Sequence, residues 1–259
     1  DPKFVNPMAG DFHLQATSPC INAGINIGLP YAGTAPDMGA YEYGVLHAPA
    51  SIPYTGTDRH VAPSGWNYTT IQAAVNASVD GDRIIVHNGT YNENVLILNK
   101  TLTVMPYLTD KPIVDGGSGH CFNVTSNEYD DITIIDLNMT NTGTYAVCIN
   151  GVADVNVTGN IIDLLNPSSS NYGIFLSNTG FYIYGDVEIC DNAIKKHYMT
   201  WGSGVRANNV MGSLKINKNI ITLIGGPSTG IEASVDYGDI QVNENVISAL
   251  VSGSYGINL

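Results

Sequence analysis

The sequence predicts an all-β solenoid, a coil of short parallel strands stacked rung on rung, and three observations carry that reading. The pattern apolar-x-apolar-x-x-Asn-x-Ile recurs in "VNVTGNII" from 155, "VEICDNAI" from 187, "LKINKNII" from 214 and "IQVNENVI" from 240. A glycine-bearing strand follows each copy, as "YGIFL", "SGVRA", "TGIEA" and "YGINL". Charged residues make up only 13% of the chain and Gly numbers 28, a mix that favours turns and short strands over surface helices.

The two markers keep one phase. Asn160, Asn192, Asn219 and Asn245 are spaced 32, 27 and 26 apart, and Gly173, Gly204, Gly230 and Gly256 are spaced 31, 26 and 26. A less regular earlier turn, "IIDLNMTN", places Asn138 22 residues before Asn160, and "TYAVCI" is its companion. Alternation puts Val155, Val157, Val187, Ile189, Leu214, Ile216, Ile240 and Val242 on one face. One repeat cannot bury that face alone, whereas stacking at about 4.8 Å buries it and pairs every backbone edge except those at the two ends. The asparagines are expected to form a structural ladder at sharp corners, tolerating left-handed backbone angles, and the four glycines are read as corner residues too. In the second strand Ile174, Leu176, Val205, Ala207, Ile231 and Ala233 should point inward. Cys148, Phe175, Arg206, Glu232 and Asn258 should point outward, with Arg206 and Glu232 paired across adjacent rungs.

The start of the coil lies in "NYTTIQAAVNASVDGDRIIVHNGTYNENVLILNKTLTV", residues 67 to 104. Thr69 or Thr70 can cap a short helix near 69–78, with Ile71, Ala74 and Val75 on one face and Ala77 a further candidate for it. Laid across the open end of a β-stack, such a helix covers strand edges and core. "RIIVHNGTY" and "NVLILNKTLTVMP" supply the first strands.

This block resembles the N-terminal cap and first rungs of right-handed parallel β-helix proteins, the pectate-lyase-like superfamily, especially forms found in archaeal and bacterial surface proteins. The resemblance covers 63–259 and implies a right-handed parallel β-helix. It also explains the opening "DPKFVNPMAGDFHLQATSPCINAG" with "PDMGAYEYG", which resembles the closing segment of such a helix, with Phe4, Phe12, Leu14, Ile21, Met38 and Tyr41 buried. The expected organisation is therefore a closing segment over 1–44, a linker over 45–62 and a β-helix over 63–259.

Enzymes of that superfamily use clustered carboxylates for calcium with an arginine base, or aspartates with "GHG" and "RIK". None of these constellations occurs here: His120 sits in "SGHCFN", and the arginines are Arg59, Arg83 and Arg206. No catalytic residue is assigned and no cofactor is expected, although Asp130, Asp131 and Asp136 could hold calcium weakly. The net charge of −13 argues against nucleic acid, and no apolar run is long enough to span a membrane. Sequons at Asn67, Asn76, Asn88, Asn99, Asn123, Asn138 and Asn156, all between 67 and 156, point to a secreted glycoprotein, the alternative being Asn and Thr that serve only as strand and turn residues. The four cysteines fit no metal motif, and Cys121 and Cys148 are read either as buried thiols or as a disulfide between neighbouring rungs.

The expected function is an extracellular structural subunit of a surface layer, sheath, filament or adhesin. The open rung at Tyr255, Gly256, Ile257, Asn258 and Leu259 would take a closing segment like 1–44 from another copy, or from an adjacent tandem domain, head to tail. The alternative is a carbohydrate-binding or polysaccharide-degrading module. There Tyr172, Tyr182, Tyr184, Tyr198 and Trp201 would stack on cell-surface glycans rather than pack loops.

Overall fold

The computed structural model describes residues 1–6, 11–25, 34–38, 56–127, 129–141, 143–165, 171–176, 182–197, 202–224, 228–236, 238–249 and 255–259. The chain divides into two compact units, Asp1–Tyr54 and Thr55–Leu259. In the first, β1 (Phe4–Asn6) and β2 (Asp11–Leu14) pair antiparallel, Phe4 opposite Leu14. The side-chain carbonyl of Asn22 accepts from the Thr34 and Ala35 amides, and the Asp37 carboxylate accepts from the Asn22 amide, which ties 22 to 34–37. Leu14 is buried as expected, but Met38 is 55% exposed. Phe12 and Tyr41 lie outside the residues whose side chains are described.

The second unit is a parallel β-solenoid of about seven turns built on three sheets. The first sheet holds β3 (Asp58–Val61), β4 (Asp82–Val86), β7 (Leu102–Pro106), β10 (Ile132–Ile135), β13 (Val155–Thr158), β16 (Val187–Cys190), β19 (Leu214–Asn217) and β22 (Ile240–Asn243). The second holds β5 (Thr90–Asn92), β8 (Ile113–Asp115), β11 (Asn138–Asn141), β14 (Ile161–Leu164), β17 (Ala193–Lys196), β20 (Ile220–Leu223) and β23 (Val246–Ala249). The third holds β6 (Val95–Leu98), β9 (Phe122–Thr125), β12 (Tyr145–Asn150), β15 (Tyr172–Leu176), β18 (Ser203–Val210), β21 (Thr229–Val235) and β24 (Tyr255–Asn258). Strand β3 falls inside the expected linker and pairs with β4, so the first sheet starts before residue 63.

The register is that of the repeat: Val155 lies beside Val187, Val187 beside Leu214 and Leu214 beside Ile240. The inward residues of these strands merge into one continuous core from Val61 to Ala233. Each fully buried Val, Leu or Ile contributes about 1.5–3 kcal/mol, so the stack gains with every rung. Helix α1 (Ile71–Ala77) covers the end of the stack with Ile71, Ala74 and Val75 buried. Thr70 caps it by accepting from the Ala73 amide, and the Glu93 carboxylate accepts from the Ile71 and Gln72 amides at 2.8 and 2.9 Å.

The corners differ from the sequence reading in three respects, each with a local cause. The asparagines do stack: Asn160, Asn192 and Asn219 each donate from backbone N and Nδ2 to the Oδ1 of the next asparagine at 2.9–3.1 Å, ending on Asn245. The left-handed angle, however, falls on the residue before each one: Gly159, Asp191, Lys218 and Glu244 have φ between 55° and 72°. That leaves the asparagine side chain turned into the corner, where it also bonds carbonyls of the previous rung.

Second, the earlier turn is shifted by one. Asn138 pairs with Ile161, so the residue at the ladder position is Leu137, whose amide donates to Asn160 Oδ1 at 3.1 Å. Third, Gly173, Gly204 and Gly230 are not at corners but within β15, β18 and β21. A Cβ at Gly204 would lie 2.6 Å from Ile221 Cγ2 and 2.9 Å from the Gly230 carbonyl. Their smallness admits the isoleucine column of the second sheet.

Candidate functional site

The strands of the third sheet project a column of aromatic and polar side chains away from the core. The parallel register sets Tyr145 opposite Tyr172 on β12 and β15, and Cys148, Phe175, Arg206 and Glu232 in one line across β12, β15, β18 and β21. The Tyr145 and Tyr172 rings stack, with centroids 5.3 Å apart and planes 21° apart. Phe175 packs against both at 4.6 and 5.2 Å, and His120 continues the column at 5.2 Å from Tyr145. The Arg206 guanidinium lies 5.6 Å from the Phe175 ring centre and 5.9 Å from that of Tyr172. It is held by Glu232 at 3.3 Å, whose other carboxylate oxygen accepts from Ser203 Oγ.

The electrostatics suit binding better than nucleophilic chemistry. Burial pushes the Cys148 thiol up, against a lowering hydrogen bond from Asn150, so the thiolate is scarce at neutral pH. Burial also raises Tyr145, with Cys148 and Tyr172 adding to the rise and Arg206 opposing it. The Nδ1 of His120 is buried without a hydrogen-bond partner among the described residues. Two half-exposed tyrosine rings beside a guanidinium make an amphipathic surface suited to the flat face of a sugar.

Each remaining sequence-derived candidate has a definite place. Asn67, Asn76, Asn88 and Asn99 are exposed, whereas Asn123, Asn138 and Asn156 are half-buried on strands β9, β11 and β13. Asn88 Nδ2 donates to Asp110, and Asn156 Oδ1 accepts from Thr158. No disulfide joins Cys121 and Cys148. Cys148 stands opposite Asn123, two residues past Cys121, and the Cys121 Sγ turns toward the Val114 and Thr140 carbonyls. A diagonal offset of this kind separates Cβ atoms by about 7–8 Å, beyond the about 3.5–4.5 Å a disulfide requires.

Two of the aspartates expected to attract calcium already accept hydrogen bonds, Asp130 from side chains and Asp131 from the backbone. Asp130 accepts from Ser126 Oγ and Asn127 Nδ2, and Asp131 Oδ1 accepts from the Asp154 amide at 3.1 Å. Asp136 takes a left-handed angle with φ 57° at the corner before Leu137. Among the described residues no three His, Cys, Asp or Glu side chains converge.

Sequence reasoning missed a second ladder. Asp154 Oδ1 accepts from the Asp186 amide at 2.7 Å, and Asp186 Oδ1 accepts from the Ser213 amide at 2.8 Å. With Asp131 these residues stand immediately before β10, β13, β16 and β19, in the same phase as the asparagines. An aspartate directly ahead of the alternations that begin at Ile132, Val155, Val187 and Ile240, with Ser213 in its place before Leu214, was the available signal. Tyr182 and Tyr184 are 41% and 42% exposed and lie 6.2 Å apart. Tyr198 and Trp201 lie outside the described residues.

The last rung, β22 to β24, is the least covered. Ile257 is 48% exposed, against 0% for Ile231, its neighbour one rung in. No protein family matches the chain, and no curated protein matches it.

Proposed function

We propose that the chain is a structural β-solenoid unit of an extracellular assembly, a surface layer, sheath, filament or adhesin, that stacks end to end on copies of itself. The observation that carries this reading is the rung β22–β24. Its strands are the outermost of all three sheets, and Ile257 meets solvent where Ile231 is sealed. A parallel edge over apolar side chains is a template for a further solenoid face, from another copy or from an adjacent tandem domain. A head-to-tail contact of this kind does not close on itself and grows into a fibre. The repeat, the cap and the exposed sequons favour a member of the pectate-lyase-like β-helix superfamily of the kind carried on archaeal and bacterial surfaces. Calcium is not required by this reading.

Sedimentation velocity and negative-stain microscopy test it. Oligomers that lengthen with concentration are expected, and Ile257→Lys should abolish them while leaving the circular dichroism spectrum intact. A monodisperse monomer at every concentration would overturn stacking between copies.

A second reading, binding of cell-surface glycans, is favoured by the Tyr145–Tyr172–Phe175 column with Arg206 at its edge. Calorimetry against a polysaccharide panel tests it. Tyr172→Ala should weaken any binding found by at least tenfold, and an unchanged affinity in that variant would remove the column as the binding surface.

A further inference from the structure

The outer face of the second sheet is used by neither reading. The register sets Ile113, Asn138, Ile161, Ala193, Ile220 and Val246 side by side on β8, β11, β14, β17, β20 and β23. The residues that follow the first five, Val114, Met139, Ile162, Ile194 and Ile221, are buried in the core, so alternation turns this file outward. Ile113, Ile161, Ile220 and Val246 are between 39% and 56% exposed. Single exposed apolar residues are ordinary, but a file of them along a rigid sheet marks an interaction surface.

Charged side chains border the file on both sides. At the corner two positions before it stand Lys111, Asp136, Gly159, Asp191, Lys218 and Glu244, one to a rung. Two positions past it, Asp163 and Lys195 lie on neighbouring rungs, with Asp115 and Ser248 at the two ends. Among the described residues Lys111, Lys195 and Lys218 join no ion pair.

We propose that this face pairs with the same face of a second copy, the two solenoids lying side by side with their rungs in opposite order. The two-fold axis then runs parallel to the strands, between β14 and β17, and lays the file on its own reverse. Ile161 falls opposite the partner's Ala193, Ile113 opposite the partner's Val246, and Ile220 opposite the partner's Asn138. The charges decide the orientation. Lys111 meets the partner's Glu244, Asp136 the partner's Lys218 and Asp163 the partner's Lys195, each pair occurring twice by symmetry. Asp191 and Asp115 fall opposite Gly159 and Ser248, so no like charges meet, in a chain whose net charge is −13. With the rungs in the same order, Lys218 would face the partner's Thr222 and lose its carboxylate. A face this small makes a weak pair between single copies. Where copies also stack end to end, each repeats the face in line and the contacts add along two fibres. A glycan on Asn138 would cover the file, so its sequon and this contact exclude each other.

The test uses the whole chain carrying Ile257→Lys, so that a failure of end-to-end stacking and a failure of this pairing are told apart. Sedimentation equilibrium should show a monomer exchanging with one closed dimer that weakens as salt is raised. Ile220→Lys should lower the association constant at least tenfold, and Gln241→Lys, on the first sheet, should leave it unchanged. Lys111→Glu and Glu244→Lys should each weaken the dimer at least threefold, and the two together should restore it. These two residues lie five rungs apart in one chain, about 24 Å, so rescue comes only across the pair. A monomer at every concentration, equal affinity in folded Ile220→Lys, no rescue by the double reversal, or a glycan found on Asn138 of the native protein would overturn the proposal.

Discussion

Asn192 makes four side-chain hydrogen bonds inside one buried corner. Its Oδ1 accepts from the backbone N and Nδ2 of Asn160, and its Nδ2 donates to the Val157 carbonyl and to Asn219 Oδ1. Asn192→Ala strands these partners away from water and should cost about 2–4 kcal/mol, read as a shift of the denaturation midpoint. Asn245→Ala, in the open rung, should cost less. Asp154 works differently, since only its acceptor is needed by the Asp186 amide. Asp154→Asn should stay within about 0.5 kcal/mol of the parent, whereas Asp154→Ala should lose about 1–2 kcal/mol. Asp131 is raised by burial first, with its hydrogen bond to the Asp154 amide opposing and the charges of Asp154 and Asp130 adding. Its carboxyl should therefore titrate lower in Asp154→Asn, as carboxyl NMR shifts would record.

Lys196 is a third case. It sits in the inward column between Leu164 and Leu223 and donates to Ser228 Oγ at 2.9 Å. Burial lowers its pKa from 10.5 to about 8. Between those values the unfolded chain holds the proton and the folded chain does not, so stability rises with pH across that window and is flat in this respect below it. In Lys196→Met that rise should vanish from melting curves taken between pH 8 and 10.

At the scale of elements, what matters is how one strand admits the next. Gly204 lies where the Ile221 side chain and the Gly230 carbonyl close in. Gly204→Ala forces β18 and β20 apart and should cost about 1–3 kcal/mol. Helix α1 is only seven residues long and depends on its packing and on its caps, Thr70 and Glu93. Glu93→Ala should lower the melting temperature and speed amide exchange in β3 and β4, which lie beneath the helix. Exchange equally slow to that of the parent would remove the cap from this role.

Across the whole solenoid, each rung touches only its neighbours, so protection from exchange should be highest in β13, β16 and β19 and fall toward β22–β24. A uniform profile, or a terminal rung as protected as the middle, would contradict an exposed edge. The same architecture explains how much could be read in advance. Period-two alternation and the equal phase of the asparagines and glycines disclosed the coil, its register from Val155 to Val242 and the capping helix. The aromatic column was only partly legible. Tyr145, Tyr172, Phe175 and His120 are scattered over 56 positions of sequence, and only the register of β9, β12 and β15 aligns them.

The repeat by itself determined that these residues stack, because an alternating apolar face of four residues has no partner within its own strand and finds one only in the next copy. The tertiary structure decided everything that depends on a shift of one position. It placed the left-handed angle before the asparagine rather than on it, put Leu137 instead of Asn138 at the ladder, kept Cys121 and Cys148 out of bonding range, and turned Ile161 outward beside the buried Ile162. A one-residue slip leaves the pattern of a strand almost unchanged but sends every side chain to the other face. Pairing with the neighbouring rungs, which no single repeat encodes, is what selects the register.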